Sequence, residues 1–370
     1  MEKNFNTNNL INLSNSFLKH FNAPAFHPTI KEVDDVLQGH QKVAVILFDG
    51  MGHNIIRKHL TPDAFIREHY LKTINSTFPP TTTAATTAFL TGLYPIETGW
   101  LSWAQYFPEY QRNIILFKNS DYNTEEKLTP DNIALNQLPI KTIFELIKEN
   151  NPDIDVFDIK RYPINPDGPK KLKDLENVIN QKLQTTEKCF AYFYFDSPDY
   201  EMHAYGIDHR KIHRMVKKID RLVKRVVTSN KDTLFFTIAD HGHINVQFFD
   251  ICEHEDLYSL IDKPISFEKR TANFFIKENK LEQFKTLFNQ YYGDYFVLMS
   301  KEEVLENKLF GEGNINPKAA AFIGDYIATS ISSYGLYASK ETKENKMKFK
   351  GHHAGMTEDE LLIDVSAYNV

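Results

Sequence analysis

Carboxylates and imidazoles of the kinds that bind divalent cations recur at a few places along this 370-residue chain. In chain order they are Asp49, Asp199, His203, Asp240, His241 and His353. Three carboxylates and three imidazoles are enough for two cations that each take three protein ligands and keep room for a substrate. The set therefore predicts a two-metal site.

A threonine-rich segment between the first and second of these residues offers a hydroxyl nucleophile. Thr81, Thr82 and Thr83 precede an apolar, helix-like run that closes at Thr91 and Gly92. A threonine at a helix N-terminus is most often a cap. Free backbone N–H groups and the helix dipole also favour anionic oxygens there. Because a threonine hydroxyl is a weak nucleophile at neutral pH, a metal would have to activate it.

Each motif also has an ordinary structural interpretation. Asp49 and Asp199 could cap helices, and the histidine pair at 352–353 could lie on the surface. We interpret His243, in the Asp-His-Gly-His segment, as a polar loop residue or a residue that contacts a metal ligand, rather than as a ligand.

Short apolar segments alternate with amphipathic ones, a pattern typical of an α/β fold with a mostly parallel central sheet. Strands are predicted at Val43–Phe48, Asp155–Ile159, Phe190–Phe195 and Thr233–Ala239, and helices at Lys141–Lys148 and Asp208–Val227. Asp49, Asp199 and Asp240 each follow the carboxyl end of a predicted strand. Open α/β sheets bind ligands along that edge, so distant stretches of sequence are expected to converge there.

Residues 262–310 interrupt the series of candidate ligands and predict a small inserted α+β cap. Within it, a helix at Leu281–Tyr291 lies between strands at Thr271–Lys277 and Tyr295–Met299. Residues 1–261 and 311–370 would form the catalytic core. The aromatic, weakly periodic segment Trp100–Asn132 is expected to be a loop near the site.

Charge and composition limit the partners. A net charge of −6 and a pI near 6.2 argue against a nucleic-acid polymer as partner. The longest fully apolar run, Val43–Phe48, is too short to span a membrane, and the polar N-terminal stretch does not resemble a signal peptide. The two cysteines, Cys189 and Cys252, form no disulfide framework, so a cytoplasmic protein is expected. The oligomeric state is left open.

In this order the motifs resemble the alkaline phosphatase superfamily, most closely its type I phosphodiesterase/nucleotide pyrophosphatase branch. The resemblance runs from Asp49 to His353 and implies an alkaline-phosphatase-like three-layer sandwich. It implies one metal held by Asp199, His203 and His353, and another held by Asp49, Asp240 and His241. Thr82, nine residues before the Thr-Gly that closes its helix, would bridge to the second metal as nucleophile. Metals of this branch are usually zinc, with manganese as the alternative.

The same resemblance implies hydrolysis of phosphodiester or pyrophosphate bonds in a small phosphorylated substrate, through a covalent phospho-threonine. A phosphomonoesterase, phosphomutase or phosphonate hydrolase of the superfamily remains an alternative. Thr83 and Trp103 are candidate substrate contacts, although Trp103 stands where nucleotide pyrophosphatases of this branch carry an asparagine. Trp100 and Trp103 could stack on a base or pack in the core. A non-catalytic binding protein is disfavoured because the whole ligand set and Thr82 are present.

Overall fold

The structure is a computed structural model that describes residues 6–341 and 349–369. The strands are β1 Lys42–Phe48, β2 Tyr70–Asn75, β3 Ala104–Phe107, β4 Arg112–Ile115, β5 Ser120–Asp121, β6 Asp155–Lys160, β7 Cys189–Phe195, β8 Leu234–Ile238, β9 Ile244–Asn245, β10 Gln247–Asp250, β11 Ser266–Phe267, β12 Thr271–Phe274, β13 Phe296–Ser300, β14 Tyr326–Ser330, β15 Tyr334–Tyr337, β16 Gly351–His352 and β17 Leu362–Tyr368. The helices are α1 Leu10–His20, α2 Lys31–Leu37, α3 His53–His59, α4 Phe65–Glu68, α5 Thr82–Thr91, α6 Pro95–Thr98, α7 Ile133–Gln137, α8 Ile143–Asn150, α9 Leu172–Gln184, α10 Asp199–Tyr205, α11 Arg210–Ser229, α12 Glu255–Tyr258, α13 Leu281–Tyr292, α14 Lys301–Glu306, α15 Pro317–Phe322 and α16 Glu358–Leu361. Short 3₁₀ turns lie at Pro108–Tyr110 and Ile251–Glu253.

The continuously apolar segments form the centre of a six-stranded sheet, in the order β2-β17-β8-β1-β7-β6. Every residue of β1 and β7 is buried, as expected for strands covered on both faces. Strands β6, β7, β1 and β8 pair in parallel, whereas β17 is antiparallel to β8 and β2. The four predicted strands are confirmed, with ends that differ by one residue or less.

Helices pack in two groups. In one, α1 contacts α2, α5 and α8; in the other, α11 contacts α3, α4, α9 and α10. Helix α11 buries an apolar stripe at helical spacing and exposes most of its basic residues, so the predicted amphipathic helix is confirmed. Helix α8 begins at a capping box made by Thr142 and Glu145, two residues later than predicted. In the described part of the chain, no helix combines the length and apolar character of a bilayer span.

A second sheet of seven strands has the order β13-β14-β12-β11-β3-β4-β5. Strands β11, β12 and β13 come from residues 262–310, and the others come from outside that range. The division into a cap at 262–310 and a core at 1–261 and 311–370 stays a prediction; residues 1–5, 342–348 and 370 of that core lie outside the described residues.

The expectation that Trp100–Asn132 is a loop is wrong, because it contains β3, β4 and β5. These strands are two to four residues long, and β3 is buried throughout. The sequence therefore shows neither a long apolar run nor an alternation of apolar and polar residues. The whole is a mixed α/β fold whose central sheet directs its carboxyl edge at the candidate site.

Candidate metal centre

The strand ends bring the three candidate carboxylates together. Asp49 directly follows β1, and its N–H donates to the carbonyl of Phe195 in β7 (3.0 Å). The N–H of Asp199 in turn donates to the carbonyl of Asp49 (3.1 Å). Gly50 has a φ of +70°, and a Cβ there would lie 2.9 Å from the Cβ of Asp199. Only glycine therefore fits at this position of the turn. The N–H of Gly50 also donates to Asp240 Oδ1 (3.1 Å).

Asp49, Asp240 and His241 form one group whose ligand atoms all lie within 4.8 Å of one another. His241 Nε2 is 3.4 Å from Asp49 Oδ1 and 3.5 Å from Asp240 Oδ2. All three side chains are buried. These are the residues that the family resemblance groups around the second metal.

Asp199 belongs to two further groups. One contains His203 and His243, and the other contains His241 and His353. Helix α10 places Asp199 and His203 on the same side, with Oδ2 and Nε2 3.3 Å apart. His353 Nε2 lies 3.7 Å from Asp199 Oδ1. The expected trio of Asp199, His203 and His353 is not itself one of the compact groups, although both imidazoles approach the same carboxylate.

Three of the imidazoles share one orientation. His203, His241 and His353 each direct Nδ1 at a backbone carbonyl, those of Gly351 (3.0 Å), Gly242 (2.9 Å) and Pro80 (3.0 Å). A proton on Nδ1 makes that hydrogen bond and leaves the lone pair of Nε2 free. Metal-binding histidines commonly have this arrangement.

The donor set fits divalent cations. Asp199 Oδ1 and Asp240 Oδ2 are buried atoms without a hydrogen-bond partner, although each lies near an imidazole nitrogen. Two ligand atoms on a tetrahedral zinc ion are about 3.3 Å apart, given bonds of about 2.0–2.1 Å. The separations of 3.3 to 3.7 Å between these carboxylates and imidazoles are close to that value.

Burial and the neighbouring charged groups shift the pKa values of the side chains at this centre. Burial, followed by the nearby Asp240 and Asp199, raises the pKa of Asp49 well above its usual value. Burial also raises the pKa of Asp240. Burial opposes ionisation of Asp199 too, but the imidazoles led by His203 lower its pKa well below the usual range. Burial lowers the pKa of His353 and keeps that ring neutral. Cations at this centre would relieve the repulsion between the carboxylates.

Thr82 is the first residue of α5 and lies beside this centre. Its Oγ1 is 3.2 Å from His241 Nε2 and 3.4 Å from Asp49 Oδ2. Thr81 makes no capping hydrogen bond to the helix and donates its hydroxyl to Glu268 Oε1 instead (2.5 Å). The first N–H groups of α5 have no acceptor within the helix, so they can receive an anion. Thr83 Oγ1 is buried without a hydrogen-bond partner.

The two tryptophans differ. Trp100 is buried and donates Nε1–H to the carbonyl of Leu138 (3.0 Å), so it packs in the core. Trp103 is half-buried, and Lys118 Nζ lies 5.4 Å from the centre of its ring. Trp103 is therefore partly accessible, and its role as a substrate contact stays a prediction.

Sequence reasoning missed two residues that touch this site. The hydroxyl of Tyr194 in β7 donates to Asp49 Oδ2. Glu268, at the turn after β11, accepts the Thr81 hydrogen bond, and burial raises its pKa to about 7. Tyr194 lies in an aromatic run that indicates only a buried strand. Glu268 lies in a run of three charged residues, a pattern typical of the protein surface. The sequence therefore does not indicate that either residue belongs to the site.

A buried ion pair holds the loop that carries His353. Arg270 and Glu360 are both fully buried, with Nε–Oε1 and Nη2–Oε2 distances of 2.6 and 2.8 Å. Glu360 Oε1 also accepts from the N–H of Gly355 (2.7 Å). The pair thus connects the second sheet to the backbone two residues after His353.

Comparisons with known proteins identify the family of this chain and solved structures with a similar fold. A sequence model of the type I phosphodiesterase / nucleotide pyrophosphatase family matches residues 43–354. No curated protein matches the sequence. The fold is similar to that of murine ectonucleotide pyrophosphatase / phosphodiesterase 5, solved as an inactive variant in complex with AMP, with a TM-score of 0.63 and 16% identity over 89% of this chain and 88% of that one. The human protein of the same name gives a TM-score of 0.64 at the same identity and coverage. The family match spans most of the chain and includes all of the candidate ligands, so the chain belongs to the type I phosphodiesterase / nucleotide pyrophosphatase family of hydrolases.

Proposed function

We propose that this chain is a two-metal hydrolase that cleaves phosphodiester or pyrophosphate bonds through Thr82 and a covalent phospho-threonine. The observation that carries the proposal is the position of Thr82 Oγ1, 3.2 Å from His241 Nε2 and 3.4 Å from Asp49 Oδ2, at the N-terminus of α5. Family membership supports it. The inactive variant of the murine protein carries a threonine-to-alanine substitution, which is consistent with a threonine nucleophile in this fold.

In this proposal Asp49, Asp240, His241 and Thr82 hold one cation, and Asp199, His203 and His353 hold the other. Mixed imidazole and carboxylate ligands favour zinc, and manganese is the alternative. Two such ions would act as Lewis acids that stabilise charge on the attacking and leaving oxygens of an in-line displacement.

The residues of the chain bind and orient the reacting groups. Thr82 Oγ attacks phosphorus, the bond from phosphorus to the leaving oxygen breaks, and the Thr82 proton passes to solvent. Water then attacks the phospho-threonine, breaks the bond from phosphorus to Oγ and restores the hydroxyl. One water is consumed in each cycle, and the leaving oxygen takes a proton from solvent.

The substrate phosphate would lie at the start of α5, where the N–H groups of the first turn and the Thr83 hydroxyl can donate to its oxygens. The AMP in the murine structure makes a small phosphorylated substrate the expected class. Trp103, half-buried and able to stack, would contact the group attached to that phosphate.

Two broader expectations belong to the same proposal. An alkaline-phosphatase-like three-layer sandwich is supported by the two separate groups of helices that pack around α1 and α11. A cytoplasmic location is supported by Cys189 and Cys252, both free thiols. Burial raises the pKa of Cys189 to about 12, which suits an unreactive core residue.

The test is hydrolysis of bis-p-nitrophenyl phosphate beside p-nitrophenyl phosphate, with zinc or manganese, by the wild type and Thr82→Ala. We expect the diester to be preferred. Thr82→Ala should lower kcat by at least about 100-fold, because the variant can still bind the substrate but lacks the hydroxyl that attacks phosphorus. Acid quenching during turnover of the diester should leave a p-nitrophenyl phosphoryl group on Thr82 in the wild type alone.

Thr86→Val is the matched control, because Thr86 lies one turn later on α5 and bonds only to the Thr82 carbonyl (2.6 Å). It should retain most of the activity. A strong preference for the monoester would favour the phosphomonoesterase alternative, whereas full activity of Thr82→Ala would reject the covalent route.

A further inference from the structure

His243 is buried at the candidate metal centre, although it is outside the predicted ligand set. It lies between Asp240-His241-Gly242 and β9, and its ring is fully buried. Strand β9 pairs antiparallel with β16, with Ile244 opposite His352. The pairing carries His243 toward His353, and the two ring centres are 5.5 Å apart. The ring centre of His203 is 4.8 Å from that of His243.

Both ring nitrogens of His243 lack a hydrogen-bond partner. Nε2 is 3.2 Å from Asp199 Oδ1, itself a buried oxygen without a partner. The two atoms are close, but no hydrogen bond joins them in this structure. A buried imidazole nitrogen and a buried carboxylate oxygen at this separation, neither with a hydrogen-bond partner, are placed as two ligands of one ion would be.

The same arrangement recurs at a predicted ligand pair. His241 Nε2 is 3.5 Å from Asp240 Oδ2, and that oxygen also has no hydrogen-bond partner. The separation of 3.2 Å at His243 is close to the edge of about 3.3 Å expected between ligands of a tetrahedral zinc ion. Asp199, His203 and His243 also form a compact group, whereas Asp199, His203 and His353 do not.

We propose that His243, through Nε2, is a ligand of the cation bound by Asp199 and His203. His353, assigned to the same cation in the proposed function, stacks on the ring of His241 with ring centres 3.8 Å apart. The inference rests on the metal-binding part of the proposed function and not on the substrate or on the covalent intermediate.

The competing role is a hydrogen bond from Nε2–H to Asp199 that only orients the carboxylate. Glutamine separates the two roles, because its side-chain amide can still donate to Asp199 but is a poor metal ligand. His243→Gln and His243→Leu are therefore compared, with His213→Gln on the exposed face of α11 as the control.

The readouts are zinc affinity, by competition with a chelator, and the visible absorption of the cobalt-loaded protein. We expect both His243 variants to bind the more weakly held of their two zinc ions about 10–100-fold less tightly than the wild type does. The cobalt spectrum should also change in both. His213→Gln should leave both unchanged. Wild-type affinity and spectrum in His243→Gln would overturn the proposal in favour of the orienting hydrogen bond, and the same result in His243→Leu would show no role.

A second measurement uses the unmutated chain, so it does not depend on the variants folding. With histidine nitrogens isotopically labelled and cadmium loaded as the probe, His243 Nε2 should show one-bond coupling to the metal. Coupling at His203 without coupling at His243 would overturn the proposal. Failure of diester hydrolysis by a zinc-loaded wild type that shows the His243 coupling would count against the proposed function alone.

Discussion

Replacing Arg270 by methionine should destabilise the protein and loosen the loop that carries His353. Arg270 and Glu360 are fully buried and joined by two hydrogen bonds of 2.6 and 2.8 Å. Removing one partner of a buried pair leaves an uncompensated charge, at a cost of about 3–5 kcal/mol. With an unfolding entropy of about 2.1 cal/mol/K per residue, this corresponds to a fall in Tm of about 4–6 °C for a chain of this length.

The assay is thermal unfolding of the metal-free protein, followed by zinc affinity at a temperature where both proteins are folded. Arg225→Met is the matched control, because Arg225 also makes two hydrogen bonds to Glu176 (2.8 and 3.0 Å) but is 53% exposed. It should cost no more than about 1 kcal/mol. Equal effects of the two substitutions would refute the reasoning that burial of the pair matters.

The effect of Arg270→Met should depend on pH. Burial raises the pKa of Glu360, but Arg270 and the hydrogen bonds outweigh it and lower the pKa below its ordinary value of 4.5. A carboxyl with a depressed pKa contributes stability above its unfolded pKa and loses it as the pH falls through the folded value. The difference between wild type and variant should therefore be full at pH 7 and shrink below pH 4.5.

Two further substitutions probe the turns around the site. Gly50→Ala should lower zinc affinity, and it should lower the free energy of unfolding by more than the roughly 1–2 kcal/mol of a left-handed residue, because its Cβ would lie 2.9 Å from Asp199 Cβ. Gly39 has a φ of +80° and open space around it, so Gly39→Ala should show only that backbone cost in thermal unfolding. Glu268→Gln should stabilise the metal-free protein by up to about 3 kcal/mol above pH 7 and have little effect below pH 4.5. Because burial raises the pKa of Glu268 to about 7, the wild type loses stability as the pH rises from the unfolded pKa to the folded pKa, whereas glutamine does not ionise. A Glu268→Gln effect independent of pH, or equal losses in the two glycine variants, would contradict these arguments.

The central sheet could be predicted from the sequence because its strands are long and continuously apolar. β1 and β7 are buried at every residue, and the ends of such strands locate Asp49 and Asp199 within a few residues. The convergence of the candidate carboxylates then follows from the common direction of parallel strands.

The second sheet could not be predicted in the same way. Strands β5 and β11 are only two residues long, and β11 joins β3, which lies far away in the chain, through a single residue pair. The arrangement around His243 is also a tertiary effect, because it depends on the pairing of β9 with β16. Glu268 is hidden for the same reason, since only the fold shows that a charged turn is buried beside Thr81.

The most direct test of the two-metal account is an anomalous difference map from crystals soaked in zinc. The account predicts two peaks per chain, one bounded by Asp49, Asp240 and His241 and the other next to Asp199 and His203, with Thr82 Oγ1 beside the first. A map with no peak among these side chains, or with a single peak remote from Thr82, would contradict it.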